Sequence, residues 1–304
     1  GSEMCIRDRV PSQDGECTFT LKEGGRCPFL NDDNLCDLYI ELGEDKLCET
    51  CAEFPRFIND YGNIREIGIA PSCKTAGELM FSYKDELTFD TVEDNSLSPE
   101  PNDIDAYTYM QLRQARIVAF GIISDRDISI FERLMLYLDY AKRIQKHLDA
   151  ERDELIAGVA KRFCGPDYRE KLLDKLKSRD AKLHGKRLIK GLRHFFDDFK
   201  GMEVINPDWN IHVARVRQFL DGLADDSELA AVMKTYHAGS EAFAHEYEQL
   251  AMYYVYRYML DAVNDYDILL KAKNAVIGIL AVDIMAAANQ VSGCCLLYTS
   301  DAAD

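Results

Sequence analysis

Four cysteines in the run GRCPFLNDDNLCDLYIELGEDKLCETC constrain this chain more than any other stretch. Cys27, Cys36, Cys48 and Cys51 are separated by eight, eleven and two residues. Polar and glycine-containing turns near Cys27 and Cys36 can bend the backbone inward, and the closing C-x2-C lets two thiolates reach one ion. A metal centre is therefore the first reading. Free or disulfide-forming cysteines are the other, because pairing also follows from nearness and redox compartment. Cys73, in IAPSCKTAG, is a candidate fifth ligand and Cys17 a candidate sixth, so the size of the cluster stays open. A segment with this little apolar surface needs a staple, and a bound metal would provide one.

With 304 residues the chain can bury a large core, and about two domains is the prior expectation. Its hydrophobic fraction of 47% belongs to a folded protein rather than a disordered one. The formal net charge of -17 would repel a phosphate backbone, which argues against nucleic acid and leaves a lysine-bearing protein surface as a fitting partner. No apolar window reaches the roughly 18 to 20 residues needed to span a membrane. The longest, Ala275 to Ala288, contains Asp283 and reads as a buried terminal helix. No secretory signal is visible, so a reducing cytoplasm with metal-bound or free thiols is expected. Gly1-Ser2, EMCIRDR and CCLLYTSDAAD look foreign to the natural protein and continue no neighbouring periodicity, so Cys5, Cys294 and Cys295 are left out of the ligand count.

The fold class expected is mainly α, a small Cys-rich irregular metal-binding segment followed by a multi-helix domain. We place the Cys-rich domain at residues 11–78, a linker or surface segment at 79–102, and the helical domain at 103–290. Leu35 to Leu42 supplies one or two helical turns ended by Gly43, and Ile64 to Ile69 has the alternation of a strand. Pro99 and Pro101 mark the linker. Beyond it the period is helical: Leu112, Ala115, Ala119 and Ile122 recur three or four apart from a start near Asp103. Ser129 and Glu132 form a capping box for a helix reaching about Leu148. Further helices are expected over 152–163, 167–177, 182–199, 209–223 and 227–233.

The helix from Glu241, extending to Asp267, is unusually aromatic. Phe243, Tyr247, Leu250, Tyr254 and Tyr258 recur at helical spacing, with Glu246, Arg257 and Asp261 beside them. Tyrosines at a helix interface explain most of this pattern, their hydroxyls sitting at its edge. The functional alternative is a pocket wall that stacks an adenine or receives a lysine side chain, with Tyr254 and Tyr258 as cofactor-binding candidates. The six histidines, His147, His184, His194, His212, His237 and His245, lack H-x3-H or H-E-x2-H spacing and read as surface or interface residues. There is no G-x-G-x2-G after a strand, no P-loop and no G-x-S-x-G elbow, so the sequence itself exhibits no nucleotide or serine-hydrolase site.

The segment from Gly25 to Arg56 resembles the flagellin lysine-N-methylase family and its Cys-rich, metal-chelating region. The resemblance extends to APSC ending at Cys73, to ISDRDISIFERLMLYLDYAKRIQ (Ile123 to Gln145) and to MYYVYRYMLDAVNDYD (Met252 to Asp267). Members of that family carry a further cysteine group with a paired CC upstream; its absence here marks the chain as an N-terminally incomplete member, in which a weakened centre and weak activity are expected. The resemblance implies S-adenosylmethionine as methyl donor, flagellin lysines as substrate, and an iron-sulfur cluster or zinc held by Cys27, Cys36, Cys48, Cys51 and Cys73. Glu246, Tyr254, Tyr258 and Asp261 are possible pocket residues, none with an assigned catalytic role. Two other classes fit the same sequence: a metal-stabilised protein-binding module without catalysis, and a redox or metal-handling protein.

Overall fold

The computed structural model describes residues 9–11, 17–23, 26–94, 103–180, 187–201, 204, 208–240 and 243–292. Cys5, Cys294, Cys295, His184, Glu241, Pro99 and Pro101 lie outside them. The chain divides into two compact units, Gly1–Phe57 and Ile58–Asp304, so the expected Cys-rich domain over 11–78 straddles the division.

In the first unit a short antiparallel pair, β1 (Arg9–Pro11) and β2 (Cys17–Phe19), is followed by turns. The Phe19 ring packs edge-on against Phe29 at 4.9 Å. Asn31 organises the next turn by accepting the Asp33 and Leu35 amides on its side-chain oxygen, both at 3.0 Å, a local bond set that competes with helix and holds the loop. The chain then enters α1 (Asp37–Leu42), stopped by Gly43 at φ 83°, a conformation that costs glycine little. After a turn comes α2 (Glu49–Glu53). Neither helix buries a residue, and Tyr39, Ile40 and Leu42 are more than half exposed. Apolar burial alone contributes little here.

Next in the chain is a hairpin, β3 (Arg56–Tyr61) and β4 (Ile64–Ile69), turning at Gly62 and Asn63, the second unit beginning at Ile58 within β3. Then come α3 (Lys74–Ser82), α4 (Ala106–Ile123), α5 (Ile130–Leu148), α6 (Ile156–Phe163) and α7 (Pro166–Asp180). They are followed by α8 (Arg187–Asp198), α9 (Asp208–Gly222), α10 (Asp226–Gly239), α11 (Ala244–Tyr258), the single turn α12 (Ala262–Asp265) and α13 (Ile268–Val291). The expected periodicity is what buries: Leu112, Ala115, Ala119 and Ile122 are fully inaccessible on one face of α4. The capping box forms as expected, Ser129 accepting from the Glu132 amide while the Glu132 carboxylate takes the Ser129 N–H at 2.7 Å. Each fully buried Leu or Ile contributes about 1.5–3 kcal/mol, so this region supplies most of the chain's hydrophobic stabilisation.

Two cores share α13 as a spine. Ile268, Ala272, Ala275 and Ile279 join the first core, with α4, α5, α6 and α11, whereas Ile284, Met285 and Ala288 join the second, with α8, α9 and α10. Asp283 sits where one passes into the other. Ion pairs fix the remaining registers. Arg116 on α4 binds Glu66 on β4 through both terminal nitrogens and also donates to the Tyr256 carbonyl at 3.0 Å. Glu248 on α11 takes Arg133 at 2.6 Å and Arg126 at 2.8 Å.

Two expectations need correction. The aromatic helix does not run on to Asp267: α11 ends at Tyr258, a 3-10 turn and α12 follow, and Tyr266 at φ 55° closes the segment. Phe243 does not face protein with Tyr247, because it stands at the N-cap, before the first turn, and is 41% exposed.

Candidate functional site

Cys36 and Cys48 each stand at the head of a short helix, α1 and α2, and Cys51 follows Cys48 on the first turns of α2. The Cys51 backbone N–H and thiol both hydrogen-bond to the Cys48 sulfur and hold its thiol below the ordinary range. The Cys51 thiol is pushed up to about 11, first by that bond to Cys48, then by burial and by the charges of Cys48, Cys27 and Cys36. The Cys51 thiol therefore feels Cys48, Cys27 and Cys36 within the first unit. Cys27, Cys36, Cys48, Cys51 and Cys73 are all free, as is Cys164. Cys73 belongs to the second unit, at the N-cap of α3.

Soft thiolates with this neighbourhood suit zinc or an iron-sulfur cluster chemically, and a unit with so little buried apolar surface would gain from such a staple. The side chains themselves are not gathered: among the described residues no group of three or more His, Cys, Asp or Glu is arranged to hold an ion.

The C-terminal end of α11 carries the two tyrosines expected at a cofactor. Tyr254 leans on α13, where Gly278 offers no Cβ and the phenol fills its place. Tyr254 and Tyr258 pack at 5.7 Å, and the Arg257 guanidinium lies 5.0 Å from the centre of the Tyr258 ring. Burial raises both phenols, Tyr258 to about 12. These contacts give Tyr254 a packing role, as the interface reading of the stripe anticipated. Asp261, just beyond, has its carboxyl raised, chiefly by burial.

A second group assembles where α5, α10, α11 and α13 meet, and motif reasoning missed it. The His237 Nε2 lies 3.0 Å from both carboxylate oxygens of Asp283. Asp283 is buried, with 4% of its side chain accessible, while His237 is about a third exposed. Phe131 from α5 stacks on the imidazole at 4.7 Å. The Tyr236 and Tyr247 hydroxyls pair at 3.1 Å, and burial followed by the charge of Asp283 pushes the Tyr247 phenol far up. Glu246 on α11 has its carboxyl raised by burial, and its charge reaches Tyr236. The available signal was Asp283 itself, an acid inside the otherwise apolar stretch Ala275 to Ala288; its offset of 46 positions from His237 follows no spacing rule.

An open cleft of about 660 Å³ lies between the start of α4 and the α5–α6 connection, lined by Asp105, Asp149, Glu151, Asp153, Glu154, Tyr107 and Tyr266. Several of its acids are committed structurally: Asp105 caps α4, Asp153 accepts the Thr108 hydroxyl, and Asp149 accepts Gln145 at 2.7 Å.

Residues 116–293 match the family model described as the FliB lysine N-methylase C-terminal domain, a span holding α5 to α13 and the whole His237–Asp283 group. No curated protein and no solved structure matches the chain.

Proposed function

The chain belongs to the FliB lysine N-methylase C-terminal domain family, and from that premise we propose that it transfers methyl groups from S-adenosylmethionine to lysine side chains of flagellin. The observation carrying this reading is the family match over residues 116–293. It is supported by an acid–imidazole–phenol group inside that span, its acid buried and its imidazole partly exposed, a setting able to handle a proton on an amine.

A lysine ammonium has no lone pair, so it must lose a proton before nitrogen can attack carbon. The chain's task is to bind the lysine, exclude water from it and take that proton. S-adenosylmethionine supplies an electrophilic methyl carbon on a sulfonium when bound. Tyr254 and Tyr258 are the residues we assign to its wall, with Tyr258 offering the less committed ring. Cys27, Cys36, Cys48 and Cys51, all in the first unit, are assigned to an iron-sulfur cluster or zinc with a structural role. The excess of acid suits a lysine-bearing protein partner and opposes nucleic acid. No helix among the described residues is long and apolar enough to cross a membrane, and the cytoplasm is the compartment we propose.

Titration calorimetry of the folded protein with S-adenosylmethionine tests the donor assignment. Saturable binding, weakened in Tyr258→Ala and competed by the demethylated product, is expected. No binding at millimolar donor would contradict the reading and favour a binding module without catalysis.

A further inference from the structure

The His237–Asp283 pair has a geometry that helix packing alone does not require. Among the described residues Asp283 forms an ion pair with no lysine or arginine, only with His237. Burying a carboxylate without a permanent cation is costly, and such groups concentrate at sites of chemistry. An ionised carboxylate can only accept, so Nε2 carries the hydrogen in this pair and Nδ1 carries the lone pair. Nδ1 has no partner among the described residues. An imidazole oriented by a buried acid with its other nitrogen free is the arrangement of a general base.

We propose that His237, oriented by Asp283, accepts the proton of the substrate lysine's ε-ammonium, an assignment that rests on the lysine-methylation reading above. The N–H bond breaks with its electron pair staying on the amine, and the proton goes to Nδ1. The amine then forms its bond to the methyl carbon as the carbon–sulfur bond of a sulfonium donor breaks, its pair remaining on sulfur. The imidazolium returns its proton to water.

The surroundings favour the direction of transfer. A free lysine near 10.4 holds its proton far more tightly than a free histidine near 6.5, so the site must stabilise imidazolium and disfavour ammonium. Asp283 does the first, from α13 at 3.0 Å. The second falls to exclusion of water from the bound lysine, while Phe131 from α5 and the neighbouring Tyr236 ring flank the imidazole. The other titratable groups facing this point are Tyr236 on α10 and Tyr247 and Glu246 on α11. The phenols stay protonated at neutral pH, so they add no competing charge.

The test is flagellin methylation by wild type, His237→Gln and Asp283→Asn from about pH 6 to about pH 10, with circular dichroism confirming folding. Gln keeps a hydrogen-bond donor for Asp283 but cannot accept a proton. His237→Gln is expected to lose about 100-fold or more in turnover at pH 7. Its remaining rate should climb with pH as lysine deprotonates unaided, and Asp283→Asn should move the acid limb of the profile. A His237→Gln protein with wild-type rate and profile overturns the assignment.

Ring resonances of isotopically labelled histidine, recorded while a lysine-containing flagellin peptide is added without donor, give a readout independent of turnover. A shift of His237 is expected, and no shift counts against it. Wild type that transfers no methyl while His237 still shifts defeats the methylation reading and keeps the lysine contact. Active wild type with an unaltered His237→Gln variant defeats the His237 assignment alone.

Discussion

The Tyr254 hydroxyl lies 2.6 Å from where a Cβ on Gly278 would stand, and its ring carbons follow at 3.0 and 3.4 Å. α11 and α13 approach closely there because position 278 has no side chain. A larger residue must displace a rigid ring held on its other side by Tyr253 and Tyr258. Gly278→Val should cost about 1–3 kcal/mol by overpacking, beyond any gain from replacing a helical glycine. Adding Tyr254→Ala should recover part of that loss, so denaturant midpoints of the two single variants and the double variant should be non-additive.

Glu66 and Arg116 form a nearly dry pair, their side chains 10% and 7% exposed. Removing one partner leaves the other charge buried, so Glu66→Ala should destabilise by about 3–5 kcal/mol. The loss should exceed that of Asp60→Ala, whose partner Arg65 is 38% exposed and whose pair is worth about 1 kcal/mol or less. Equal denaturant midpoints for the two variants would contradict this ranking.

Glu248 gives the stability a defined slope with pH. Burial pushes its carboxyl up, but hydrogen bonds from Arg126 and Arg133, with their charges, outweigh that and hold it below the ordinary range. A carboxylate whose folded value is depressed contributes stability that is full above the unfolded value, about 4.3, and is lost as pH falls through the folded value. Glu246 and Asp261, both raised, run the opposite way. The difference between wild type and Glu248→Gln isolates this carboxylate's contribution: the gap should be large at pH 7 and shrink below about pH 4.3. A gap independent of pH would refute the assignment.

What the sequence revealed was local. Ser129 and Glu132 are three residues apart, and the α4 stripe repeats every three or four, so caps and helix faces could be read directly. Glu66 with Arg116, Glu248 with Arg133, and His237 with Asp283 are 50, 115 and 46 residues apart, and only the packing of helices brings them together. The six histidines follow no ligand spacing, yet one of them, His237, enters a polar group with Asp283 that no spacing rule describes. The C-x2-C was legible because both residues lie on one short helix and its cap. Where Cys27 and Cys36 stand relative to it depends on intervening turns that pattern reading describes only loosely.

Cys48→Ser with Cys51→Ser tests the proposed metal role. Serine is a poor replacement for a thiolate ligand, and the first unit has little else to hold it. Metal content by elemental analysis and the melting temperature should both fall, and methylation with them. Unchanged metal content, melting and methylation would show that this pair plays no part in a centre.

The most direct test of the account is mass spectrometry of flagellin incubated with the folded chain and S-adenosylmethionine carrying an isotopically labelled methyl group. Labelled methyl on lysine side chains, absent without donor and strongly reduced with His237→Gln, is the expected result. Flagellin lysines that stay unlabelled while the protein is folded and saturated with donor would contradict it.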